Sequence, residues 1–243
     1  GKDTASKKDT AVKDTGEEEP PPPRVLLIIA DDFGVDVLPA YADHPLAAEP
    51  TRDHLTLATM DSICTDGVRF DAAWANPTCT PTRGTILTGE YGFRTGIAGT
   101  GEASNLTASQ RTLPQYLSAN IIGFQGGSVG KWHLGNDDDL GGLLTPNRFG
   151  WDHYSGALDN IDDYTEWPHV TNGHETTSTT YATTAQIDAA IAWWTAQPDD
   201  APRLLWFAPN APHGPFHFPP DGLHTQDTTS KDEAVQYLSL IHI

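Results

Sequence analysis

Four small groups of residues carry the side chains able to do chemistry. Asp31 and Asp32 are adjacent carboxylates directly after an apolar run. Two such charges repel, and both stay ionised only beside a cation, so a hard divalent ion with oxygen ligands fits the pair. A helix cap plus a solvated charge fits it equally well. Cys79-Thr80-Pro81-Thr82-Arg83 places a thiol shortly before an arginine and at the opening of a helical pattern. A sulfur at a helix N-terminus beside a guanidinium has a lowered pKa, and an anion there is stabilised. Lys131-Trp132-His133 sets an ammonium and an imidazole two residues apart, pointing the same way along an extended segment. His213, in Ala211-Pro212-His213-Gly214-Pro215, is an imidazole suited to general acid work near neutral pH.

Each group needs an element to hold it. Val25 to Ala30 is a continuous apolar run, the pattern of a strand buried on both faces of a parallel sheet. Asn120 to Gly130 is a weaker strand because of its glycines, and Arg203 to Ala208 a clear one. Helical patterns lie between them at Leu57 to Asp66, Thr82 to Leu87, Leu113 to Ser118 and Thr180 to Gln197. Alternating strands and helices predict an α/β fold with a mostly parallel sheet. Ligands of such sheets sit beyond the carboxyl ends of the strands. Asp31-Asp32, Lys131-His133 and His213 all fall there, so a single shared site is expected.

The segment Pro77 to Gly89, with its Cys-x-Pro-x-Arg core, resembles the signature of the sulfatase family. Gly123 to Gly135, ending Gly130-Lys131-Trp132-His133-Leu134-Gly135, resembles the family's second signature, with Phe124 and Gly126 replacing its usual residues. Ala211 to Phe216 and Phe149 to Gly156 resemble further family segments, and the whole likeness runs in family order from about Arg24 to Phe218. The resemblance implies an α/β/α sandwich of the alkaline-phosphatase-like group and hydrolysis of sulfuric esters. It implies that Cys79 is converted to formylglycine by a formylglycine-generating enzyme, and that the aldehyde is hydrated to a geminal diol. One hydroxyl attacks sulfur and the second lets sulfate leave. Asp31, Asp32 and the modified Cys79 would hold Ca²⁺ or Mg²⁺, while Arg83 holds the diol. Lys131 and His213 would bind sulfate, His133 would hydrogen-bond the diol, and His213 would protonate the leaving alkoxide. Ser155 would touch substrate, which is a small-molecule or glycan sulfate ester. A phosphonate monoester or phosphodiester hydrolase using the same site is the nearest rival. A non-catalytic binding protein is another, opposed by the intact Cys79, Arg83, Lys131, His133 and His213.

Composition sets bounds around this reading. The net charge of −19, from 33 acidic and 14 basic residues, argues against a nucleic-acid partner. Nothing apolar is long enough for a transmembrane segment. Of the two cysteines, Cys64 reads as a core residue on the apolar face of a helix. The histidines outside the motifs (His44, His54, His153, His169, His174 and His224) read as surface residues, and His217 as a neighbour of His213 without its role. Residues 1–23 repeat Lys-Asp-Thr at Lys2, Lys8 and Lys13, then run through Glu17 to Glu19 into Pro20 to Pro23, which reads as a disordered tether. With the resemblance, it implies a periplasmic or extracellular enzyme, lipid-anchored if a lost upstream segment carried the anchor. Residues 24–237 read as a catalytic domain truncated at its C-terminal side. The family's remaining metal ligands and a further sulfate-binding lysine find no counterpart after Phe218, since Asp221, Asp227 and Asp232 follow no strand and Lys231 lacks the surrounding pattern. The fragment is therefore expected to be inactive as given. Residues 238–243 read as the translation of a sequencing adapter or as the start of an apolar strand.

Overall fold

The computed structural model describes residues 20–45, 57–100 and 105–242. Its centre is a six-stranded sheet in the order β1-β6-β2-β3-β4-β5. The strands are β1 (Arg24–Ile28), β2 (Gln125–Gly130), β3 (His153–Gly156), β4 (Trp167–Thr171), β5 (His174–Ser178) and β6 (Arg203–Ala208). β1, β6, β2 and β3 run parallel, while β4 and β5 form an antiparallel hairpin on the far edge. The hairpin turns at Asn172 and Gly173, both with positive φ (46° and 82°), the two-residue turn whose twist matches that of the flanking strands.

Helices cover both faces. On one side α2 (Cys79–Thr88) and α4 (Leu113–Asn120) supply Leu87, Leu113 and Leu117 to a core with Trp132, Tyr154, Leu204 and Trp206. On the other, α6 (Ala182–Ala196) packs Ala190 and Trp193 against Val129 and Leu205. Neighbouring residues of one strand, Leu204 and Leu205, thus enter opposite cores, as the two-residue period of a strand requires. The result is the expected three-layer α/β/α sandwich. Outside it lie α1 (Ala58–Asp66), α3 (Gly92–Thr95), α5 (Thr145–Arg148) and α7 (Glu233–His242).

Three expectations need correction. β1 is not buried on both faces. Among the described residues it is an edge strand paired only with β6, and Val25, Leu26 and Ile28 are about half exposed. Cys64 is not a core residue: α1 buries none of its side chains, and Cys64 is a partly exposed free thiol. Residues 238–242, read in part as a strand start, form the second half of α7. Tyr237, Leu238 and Ile241 pack there against Val37 and Leu57. His54 and the residues 1–19 of the tether lie outside the described residues.

The glycines that weaken β2 as a strand are what let it sit at the centre. A side chain on Gly127 would meet the Trp193 ring at 2.5 Å. Gly130 has φ +99°, and a Cβ there would collide with the Ala208 carbonyl. Tyr154 Oη donates to the Gly130 carbonyl at 3.1 Å, so the strand end is pinned from β3 as well. Beyond Gly130 the backbone stays threaded between its neighbours. The Lys131 N–H donates to Ala208, that of Trp132 to Ala157 and that of His133 to Leu158.

Candidate active site

The four groups meet at the carboxyl edge of the parallel strands. Asp31 and Asp32 follow β1, Lys131 and His133 follow β2, and His213 follows β6. Cys79 is the first residue of α2, whose N-terminus opens at the same edge. Asp31, Asp32, Cys79 and Arg83 line one cavity of about 450 Å³ with Asn76 and Thr78. Asn76 shapes this wall by donating to the Pro81 carbonyl and to Thr85 Oγ1. Trp74, Tyr91 and Phe93 are strongly exposed, and Tyr91 and Phe93 stack with ring centroids 5.7 Å apart.

A buried charge cluster forms the floor. Arg83 is 1% exposed, and its Nη2 donates to Asp31 Oδ2 at 3.2 Å. Its Nη1 donates to the Lys131 carbonyl at 2.5 Å. Lys131 is fully buried and its Nζ bonds the same Asp31 oxygen. The fold thus holds the Lys131 ammonium against a carboxylate. Burial pushes the Asp31 carboxyl up, but the adjoining Arg83 and Lys131 charges outweigh it and hold it below the usual carboxylate range. Burial also pulls the Arg83 guanidinium below its ordinary value, partly offset by Asp31.

Cys79 Sγ lies 3.2 Å from His133 Nδ1. Burial raises this thiol, yet the His133 hydrogen bond and the Lys131 charge prevail and the net shift is downward. His133 has φ +55°, a conformation uncommon for a residue with a Cβ, which turns its ring back toward α2. Its other nitrogen, Nε2, is 3.1 Å from Asp159 Oδ1. Desolvation lowers this imidazole, but the bonds to Asp159 and Cys79 more than compensate, so it titrates above an ordinary histidine. Arg83, expected beside the sulfur, spends its hydrogen bonds on Asp31 and the Lys131 carbonyl and reaches Cys79 only through its charge.

His213 stands at the rim, with Nε2 3.7 Å from Asp32 Oδ2. Its segment contains cis peptides at Ala211-Pro212 and Gly214-Pro215. Buried Gln186 holds the segment's start, donating to Asn210 Oδ1 at 2.7 Å and accepting from the Asn210 N–H at 3.1 Å. Tyr164 Oη donates to the His213 carbonyl at 2.6 Å. His217 is turned away, bonded to Tyr181 Oη at 3.0 Å. Ser155 is buried on β3 with Oγ 2.9 Å from His169 Nε2, and it does not line the cavity. His169 and His153 are half-buried, unlike the surface residues the sequence suggests, and burial lowers both.

The donors at the cavity are hard oxygens, Asp31 and Asp32, beside residue 79, and their chemistry fits a divalent cation of the Ca²⁺ or Mg²⁺ type. Among the described residues no group of three or more His, Cys, Asp or Glu side chains closes a full cage. Asp159, Tyr164 and Gln186 contact the site's segments although no motif announces them. They act across long sequence separations and sit in no recognisable pattern.

The profile of the Sulfatase family matches residues 23–240. Arylsulfatase G of Canis lupus familiaris is 32% identical over 146 residues, covering 58% of this chain and 24% of that protein. N-acetylgalactosamine-6-sulfatase of Sus scrofa is 28% identical over 219 residues, covering 78% of this chain and 40% of that protein. A protein solved in complex with its substrate, D-glucosamine-2-N,6-O-disulfate, superposes with a TM-score of 0.66 at 25% identity, covering 83% of this chain and 37% of its own. The chain thus spans well under half the length of these relatives. The fold is that of the alkaline-phosphatase-like sulfatase structures. Since the profile runs from the residue before β1 into α7 and takes in every group at the cavity, the chain belongs to the sulfatase family.

Proposed function

We propose that this chain carries the nucleophile-bearing half of a sulfate-ester hydrolase, with Cys79 converted to formylglycine by a formylglycine-generating enzyme. The observation that carries the reading is the placement of Cys79. It opens α2 within 3.2 Å of His133 Nδ1 and beside a buried cluster holding two cations to one carboxylate. That cluster favours negative charge at residue 79 and on the group transferred to it. Asp31, Asp32 and residue 79 would hold Ca²⁺ or Mg²⁺, which supplies Lewis-acid polarisation of a sulfate oxygen. The hydrated aldehyde supplies an oxygen nucleophile and a second hydroxyl for sulfate release.

The chain's own residues then divide the work. Arg83 and Lys131 keep Asp31 ionised and fix the floor of the cavity. His133 sits where a proton on the residue-79 side chain can be taken up. His213, on the open side, is placed to protonate a leaving alkoxide. Ser155 would reach substrate only by giving up its bond to His169. A sulfated sugar is the favoured substrate class, since relatives are named for N-acetylgalactosamine-6-sulfate chemistry and a structural neighbour holds a sulfated glucosamine. Among the described residues no helix is long and apolar enough to cross a membrane, and a periplasmic or extracellular location suits such substrates.

The test uses the complete gene product containing this chain. Mass spectrometry of the Cys79 peptide should show thiol replaced by aldehyde. The converted protein with Ca²⁺ or Mg²⁺ should release sulfate from an aryl sulfate and a 6-O-sulfated N-acetylhexosamine, and Cys79→Ala should not. Converted protein that cleaves an aryl phosphodiester faster than either sulfate would replace this reading with its phosphoryl rival. Absence of conversion would end the formylglycine proposal.

A further inference from the structure

The connection between β3 and β4 touches both histidines of the site, although these follow different strands. Its backbone accepts the Trp132 and His133 N–H groups at Ala157 and Leu158. Asp159 then meets His133 Nε2 at 3.1 Å, and Tyr164 meets the His213 carbonyl at 2.6 Å. The connection is itself anchored: Ile161 and Tyr164 are 3% and 2% exposed and pack with Trp167, Tyr181 and Ala211. The Tyr164 carbonyl also accepts from the Ala182 N–H at the start of α6. Two residues five apart in one connection thus contact the ring of one imidazole and the backbone of the other.

We propose that Asp159 and Tyr164 are positioning residues that act as a brace, Asp159 fixing the ring of His133 against residue 79 and Tyr164 fixing the backbone of His213. This rests on the sulfate-hydrolysis reading above. Asp159 is two-thirds exposed, so it stays solvated and charged while one oxygen faces His133. Held by that oxygen at Nε2, the ring keeps Nδ1 turned to residue 79, 3.2 Å from its sulfur. Tyr164 is buried, and burial keeps its hydroxyl protonated as a donor. Its bond goes to a main-chain oxygen, so it bears on where the imidazole stands, with no part in the ring's protonation.

The two roles predict different kinetic signatures. In the converted, metal-loaded gene product, Asp159→Asn should lower kcat about 10–100-fold with KM little changed, equally for activated aryl and unactivated sugar sulfates. Asp159→Glu should restore part of the loss. Tyr164→Phe keeps the packed ring and removes only the donor. It should slow sugar sulfates, which need a protonated leaving group, several-fold more than nitroaryl sulfates, which do not. An independent readout is the ring ¹⁵N spectrum of histidine-labelled protein, with His133 assigned through His133→Gln. Asp159→Asn should shift the His133 Nε2 signal, and Tyr164→Phe should leave it in place.

A kcat for Asp159→Asn within about twofold of wild type, with the Nε2 signal unmoved, overturns the Asp159 assignment. Equal slowing of both substrate types by Tyr164→Phe, or no slowing, overturns the Tyr164 assignment. If the wild-type protein is converted and hydrolyses no sulfate ester, the functional reading fails by itself. The ¹⁵N arm then still decides whether Asp159 sets the His133 ring.

Discussion

Removing the Asp31 carboxylate tests how the buried charges are balanced. Asp31→Asn keeps the shape but leaves Lys131 and Arg83, at 0% and 1% exposure, without their shared anion. At an effective dielectric constant of about 20, the 3.2 Å Arg83–Asp31 pair is worth about 5 kcal/mol. The Lys131 contact is closer, so the carboxylate collects roughly 10 kcal/mol against a desolvation cost of several kcal/mol per ion. Its loss recovers one desolvation cost and exposes the repulsion between two buried cations, for a net destabilisation of about 3–5 kcal/mol. Lys131→Met is the control. It gives up one attraction but also removes one buried charge and its repulsion with Arg83, so it should cost no more than about 1–2 kcal/mol. Urea unfolding followed by tryptophan fluorescence in EDTA would read this as a midpoint lowered by about 1–2 M for Asp31→Asn. The pH dependence has a definite sign. The folded pKa of Asp31 is lowered, so its contribution is complete above the ordinary carboxylate value of 3.8 and is lost as pH falls through the lower folded value. Equal midpoints for the two variants, or an Asn variant as stable as wild type, would refute the charge-balance reasoning.

Other outcomes follow from the same geometry. Chelation with EDTA should abolish sulfate release from the complete protein, and Ca²⁺ or Mg²⁺ should restore it; activity that survives chelation would remove the metal role from Asp31 and Asp32. Gly130→Ala forces a side chain into φ +99° against the Ala208 carbonyl, at a cost of at least about 1–3 kcal/mol, measurable as a lowered thermal midpoint. Gln186→Leu strands the buried polar groups of Asn210 and should cost about 1–3 kcal/mol while lowering kcat through a loosened His213 segment. An unchanged melting temperature would show that Asn210 finds another partner.

The groups that meet at the cavity were legible because each is written locally. Cys79 to Arg83 is contiguous, Lys131 and His133 follow a strand directly, and His213 sits among prolines. Strands β1, β2 and β6 and helices α2, α4 and α6 were legible from apolar runs and helical periodicity. What supports the groups was not. Asp159 reaches His133 and Tyr164 reaches His213 only through the sheet order, which no local pattern encodes. The burial of β1 was misread because an apolar run reports composition, while exposure depends on having neighbours on both sides. The β4–β5 hairpin had one signal, Asn172-Gly173, flanked by strands whose polar residues, such as Glu175 and Thr176, hide the alternation.

Contacting both histidines from one connection, anchored by buried Ile161 and Tyr164, separates what holds them from the exposed surface. The residues gathered at the cavity stand on strand ends and on the first turns of α2, tied together by the buried Asp31, Arg83 and Lys131 cluster. Trp74 and Tyr91, on loops, and Phe93, in α3, project into solvent and carry little of that framework. Changes among these loops can retune which molecule is admitted while the distances between reacting atoms stay as they are. A scaffold divided in this way leaves room for substitutions at exposed positions that do not disturb the buried charges beneath the cavity.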